Sequence, residues 1–185
     1  MTESNGGGVK RIELETKLNE GRNWLLNIYA GLSDEQLRRP VTPSEHDSAN
    51  TWTPLDHLAH LALIEGNFEQ MVRRHLAGHP NPVGLRTDGQ GQPRTIEEIM
   101  ATVHAMTEKF QLEHRDDTLS EVVALTGDAR SATLRLLSEL TDTQLDEPLP
   151  GAPWADGTIG GVLGANADHG RSHWKWVTDT GLLDG

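Results

Sequence analysis

Five segments of this chain repeat their apolar residues at the spacing of an α-helix, and four of them open on a threonine placed to cap one. Nothing else narrows the fold as much. Leu14, Leu18, Leu25, Ile28 and Leu32 mark a first amphipathic helix over roughly 9–32. Thr53, Pro54 and Asp56 read as the N-cap, first-turn proline and acidic first turn of a second helix over roughly 54–77. Thr95 with Glu98 and Thr118 with Glu121 form capping boxes, for a third helix to about 114 and a fourth to about 140. Thr158 caps a fifth to about 178. No stretch alternates with period two for long enough to suggest a sheet. The expected fold is all-α.

The helices are separated by Pro- and Gly-rich breaks, the largest being "GHPNPVGLRTDGQGQPR". One internal echo stands out: "LSDEQLRRPV" (32–41) and "LTDTQLDEPL" (140–149) share Leu, Asp, Gln, Leu and Pro in register. Each ends one long helix, and a tryptophan, Trp52 or Trp154, leads toward the next. The echo suggests two related halves, although Asp and Pro are common at such junctions in any case. With 185 residues, 35% of them hydrophobic, the chain suits one domain over 9–185, preceded by a polar, Gly-rich tail over 1–8 expected to be disordered.

Charge and cysteine content exclude whole classes of function. A formal charge of -12 repels nucleic acid and anionic membranes. No run approaches the ~18 apolar residues of a membrane span, and no apolar signal core opens the chain, so a cytoplasmic location is the expectation. Cysteine is absent, which removes disulfides, thiolate metal ligands and a protein thiol nucleophile.

The chemistry therefore rests on histidine. In "ANADHGRSHWKWV", His169 and His173 lie one helical turn apart. At about 100° per residue, His169, His173, Val162, Ala165, Asn166 and Trp176 share one face, while Asp168, Arg171 and Lys175 gather on the other, the side expected to face water. Two inward imidazoles need partners for their ring nitrogens, and a shared metal ion satisfies both. His75 and His79 repeat the spacing beside Gly78 and Pro80, where exposure is expected, so spacing alone is no proof. A zinc-protease motif is excluded because Gly170, not Glu, follows His169. A third ligand can come from the second helix, where "WTPLDHLAHLALIEGNF" offers His57 and His60. Apolar residues nearly encircle that helix, and periodicity does not choose between the two. His46, His104 and His114 carry no usable signal.

"WTPLDHLAHLALIE" followed about a hundred residues later by "NADHGRSH" resembles the DinB/YfiT-like four-helix-bundle superfamily of metal-dependent enzymes. Trp52, His60, Glu65, His169 and His173 match its pattern. The resemblance implies a four-helix bundle, here with an additional helix and long loops, and a divalent transition metal (zinc, nickel or iron) on His60, His169 and His173. Two departures are the Gly-rich "GTIGGVLGAN" lead into the last helix and the long loop over 78–94. His57 and Glu65 are candidate catalytic residues, His57 as a base, a partner of a ligand or a plain helix residue, Glu65 behind the ligands or simply on the surface. Trp52, Asn166 and Trp176 are candidate pocket residues.

Three neutral imidazoles leave an ion one or more open positions, as in a catalytic site. The expected function is a metal-dependent transferase, isomerase or hydrolase acting on a small electrophilic molecule. The resemblance further implies a low-molecular-weight thiol of the mycothiol or bacillithiol type as co-substrate. A stress or self-resistance protein that binds or inactivates a toxic small molecule, and a non-catalytic bundle, are the alternatives. A homodimer is a possible assembly.

Overall fold

A computed structural model of the protein describes residues 9–183, so the expected tail over 1–8 lies outside the described residues. The chain runs α1 (Val9–Tyr29), α2 (Asp34–Arg38), β1 (Thr42–Pro43), β2 (Thr51–Trp52), α3 (Pro54–Leu76), α4 (Ile96–His114), α5 (Leu119–Glu139), α6 (Asp142–Leu145) and α7 (Ile159–Thr178). Four long helices form a bundle in which α1 meets α7, α7 meets α3 and α3 meets α5, with a lighter contact closing α5 onto α1. The additional helix, α4, packs on α3 from outside. No described helix is long and apolar enough to cross a membrane.

Capping explains where the helices begin. The side chains of Thr53, Thr95 and Thr118 each accept a backbone N–H three residues on, and their own backbone N–H groups donate in return to the carboxylates of Asp56, Glu98 and Glu121. The first helix ends at Tyr29 rather than Leu32, because a tight turn through Gly31 leads to a further capping box at Ser33 and Gln36. β1 and β2 pair antiparallel, Thr42 opposite Trp52 and Pro43 opposite Thr51, which the sequence did not suggest. Two residues per strand are too few to show an alternating pattern.

The echo in the sequence is an echo in structure. Ser33 with Gln36 and Thr141 with Gln144 cap two one-turn helices, whose Leu37 and Leu145 are both 3% exposed. Val41 N–H then bonds to Trp52 O at 2.8 Å, and Leu149 N–H to Gly157 O at 2.8 Å, each just before the next long helix is capped. In the same register Arg22 corresponds to Arg130 and Leu18 to Thr126. Their contacts are reciprocal: Arg22 Nη2 donates to Thr126 Oγ1 at 3.4 Å, and Arg130 Nη1 donates to Leu18 O. The two halves share one order, helix, short helix, antiparallel bridge, helix, with α4 inserted between them.

Glycines set how closely the helices approach. A Cβ on Gly21 of α1 would stand 2.2 Å from the carbonyl oxygen of Ala167 in α7, and one on Gly170 would meet Leu25 at 2.9 Å. The Gly-rich start of α7 serves the same purpose, since a Cβ on Gly160 would meet the Leu145 carbonyl at 3.0 Å. Replacing Gly21 by alanine is therefore expected to destabilise the fold by ~1–3 kcal/mol in denaturant unfolding. Gly66→Ala on α3, where a Cβ meets nothing within 4 Å, is expected to leave stability unchanged or raise it by up to ~1 kcal/mol.

Candidate metal centre

The α3–α7 contact brings four histidines together. Successive turns of α3 carry His57 and His60 toward α7, whose turns answer with His169 and His173. Ring nitrogens of His60, His169 and His173 all lie within 4.8 Å of one another, so the trio could hold a metal ion. Their ring centroids are 4.6 Å (169 to 173), 4.7 Å (60 to 173) and 5.5 Å (60 to 169) apart. His60 Nδ1 is buried with no hydrogen-bond partner in the protein.

His57 stands behind this trio. Its Nδ1 is 2.8 Å from His173 Nδ1 and its Nε2 is 2.8 Å from Thr42 Oγ1, while His173 Nε2 lies 3.0 Å from His169 Nε2. Thr42 reaches that position because β1 is pinned to β2, and β2 runs directly into the cap of α3. The protons can run along this chain in either direction. When His173 Nδ1–H donates to His57 and His57 Nε2–H donates to Thr42, the lone pairs of His169 Nε2 and His173 Nε2 converge.

Burial keeps the rings neutral. It pushes the pKa of His57 down from 6.5 to about 4, of His60 to about 3 and of His169 to about 4. His173 is pushed lower still, by burial first and then by the neighbouring His60, His169 and His57.

The cluster forms the floor of a cavity of about 560 Å³, within the size range of small-molecule sites. Trp52 and Trp176 both line it, Trp52 with its ring 5.4 Å from His57 and from His60, and Trp176 on the rim with its ring 4.7 Å from His173. Phe68 and Trp154, 4.9 Å apart, wall the far side. Met100, Val103, His104 and Thr107 of α4 form the roof. His104 Nε2 meets Glu45 Oε2 at 2.9 Å at the mouth.

Two candidates sit elsewhere. Glu65 and Asn166 line a separate cavity of about 30 Å³, on the other side of His169, and not the large one. There Glu65 is neither on the surface nor free to act on a ligand: Arg130 Nε and Nη2 donate to its two oxygens at 2.6 and 3.2 Å. Asn166 Nδ2 and Arg22 Nε are buried without a protein partner beside this cavity, which has room for a water molecule. His75 is half-buried rather than exposed, and joins no cluster.

Thr42, Phe68, Glu45, His104 and the α4 roof had no signal in the sequence. Thr42 and Glu45 fall in a loop without periodicity, and the α4 residues become relevant only once α4 is known to cover α3.

The fold and this centre define a class: helical bundles that gather histidines from two helices at the floor of a deep cavity. The chain belongs to the DinB superfamily, whose family model matches residues 17–177. Among solved structures, an uncharacterised protein from Escherichia coli UTI89 is similar in fold, with a TM-score of 0.64 at 13% identity over 94% of each chain. No curated protein matches the chain.

Depressed histidine pKa values tie stability to pH. The native state favours neutral rings, so their contribution is complete above about pH 6.5 and is lost as the pH falls toward 4. Metal-free protein is expected to hold its Tm above pH 7 and lose it across that window. His60→Gln should fall less steeply than wild type when both are melted by circular dichroism at stepped pH.

Proposed function

We propose that the protein is a metal-dependent enzyme acting on a small electrophilic molecule, with His60, His169 and His173 as the ligands of one divalent transition ion. The observation that carries this reading is the approach of His169 Nε2 and His173 Nε2 to 3.0 Å beside the unpartnered, buried His60 Nδ1. Two nitrogens at about 2.1 Å from one tetrahedral ion stand roughly 3.4 Å apart, close to the 3.0 Å between the two Nε2 atoms. All three donors are imidazoles held neutral, a set that suits zinc, nickel or iron and not magnesium or calcium. Such an ion, when bound, supplies Lewis-acid chemistry and activates water or a thiol at neutral pH.

The chain's own residues do the rest. His57 Nδ1 accepts a hydrogen bond from His173 Nδ1–H and its Nε2–H donates one to Thr42 Oγ1, which fixes the ring of His173 and the nitrogen it turns to the ligand cluster. In this reading His57 is a positioning residue and not a base, because both its nitrogens are engaged. Trp52 and Trp176 keep water from the flanks of the cluster, and the cavity above it holds the substrate. Glu65 acts at a distance, keeping Arg130 satisfied behind His169.

After reconstitution with zinc or nickel, wild-type protein is expected to hold one ion per chain by elemental analysis. His169→Ala should abolish tight binding, and His75→Ala should retain it. His57→Leu should keep the site but weaken it by ~10–100-fold. Equal, substoichiometric metal in wild type and His169→Ala would remove the metal reading and leave a sequestering or purely structural bundle.

A further inference from the structure

The large cavity is unusual in what it lacks. No lysine or arginine is among its lining residues, and its one carboxylate, Glu45, lies at the mouth paired with His104. The chain as a whole carries a charge of -12. An anionic group brought inside would lose its hydration and meet no cation other than an ion in the cluster itself.

Hydroxyls fare little better than charges. The three hydroxyl side chains of the lining are already committed, Thr42 to His57 at 2.8 Å, Ser44 to Glu108, and Thr107 to the His104 carbonyl at 2.9 Å, and the unpartnered donor Trp52 Nε1 is buried. A ligand with many hydroxyls would leave water without replacing those hydrogen bonds. Aromatic rings find the reverse. Trp52, Phe68, Trp154 and Trp176 offer flat apolar surface on several sides, and Ile64 and Met100 fill between them.

From these observations we infer that the cavity selects an uncharged, mainly aromatic or aliphatic molecule with a single polar group able to reach the histidines, and rejects carboxylate-bearing or polyhydroxylated ones. A thiol co-substrate decorated with carboxylates or sugar hydroxyls does not fit this lining. As a statement about a substrate, the inference rests on the function proposed above. As a statement about the cavity it is tested on metal-free protein, which separates the two.

The test uses full-length protein stripped with a chelator, and a matched pair of probes on one ring system, naphthylmethanol and naphthoate. Binding is read by quenching of tryptophan fluorescence and by calorimetry at neutral pH. Naphthylmethanol is expected to bind at least about tenfold more tightly than naphthoate. Met100→Lys, a change at a position 44% exposed on the cavity rim, is expected to narrow that ratio several-fold by supplying a cation, with the fold checked by circular dichroism. Naphthoate binding as tightly as the alcohol, no binding of either probe, or a ratio unmoved by the new lysine would each overturn the inference. If the protein takes up metal yet prefers naphthoate, this inference fails and the metal reading stands. If it takes up no metal yet prefers the alcohol, the reverse holds.

Discussion

One buried guanidinium joins three of the four long helices. Arg130 of α5 holds both oxygens of Glu65 on α3 and donates to the Leu18 carbonyl of α1. Taking this pair out of water costs several kcal/mol per ion, and the cost is offset only where the geometry is good and the remaining donors find partners. Here the two oxygens and the third guanidinium nitrogen are all engaged. The pair thereby fixes the rotation of α3 about its own axis, since a helix that turned would pull Glu65 off Arg130. His57 and His60, on the same helix, are thereby held turned toward α7. The apolar packing around Leu18, Leu58 and Leu163 supplies stability without direction, and the ion pair supplies direction.

The two related halves show how one scaffold comes to carry a site on one side only. Measured from their caps at Thr53 and Thr158, Leu58, Ala62 and Val72 of α3 correspond to Leu163, Ala167 and Val177 of α7, and all six are buried. In that register His173 stands where α3 has Phe68, and His169 where it has Ile64. All four line the cavity. The packing frame is shared by the halves, while the polar chemistry is added to α7 near its end and to α3 near its start, so that the two meet.

Much of this was legible in the sequence. Thr95 with Glu98 and Thr118 with Glu121 announced their helices because a capping box is a local interaction, complete within four residues. The inward turn of His173 followed from periodicity for the same reason. Choosing His60 over His57 required the family pattern, since both point from a helix buried nearly all round and only the position of α7 separates their roles. Glu65 and Asn166 could not be placed, because which side of His169 they fall on depends on how α1 and α5 close the bundle. The ribbon from Thr42 was beyond reach, its two residues per strand having no period to read.

The attachment of α4 differs from that of every other long helix. Its fully buried side chains are Thr107, Glu108 and Gln111, all polar, while Ile96, Met100, Met106 and Leu112 remain exposed. Glu108 and Gln111 receive Asn50 at 2.6 and 2.8 Å, and Gln111 donates to Asp56 at 2.9 Å. Hydrogen bonds to a loop and to a helix cap thus hold the roof, together with Phe110, which packs against the edge of the apolar core. The molecule is divided into a frame that carries the histidines and a cover that sets the shape above them. Substitutions on the cavity face of the cover would reshape the space over the histidines while the apolar packing of the frame keeps its partners.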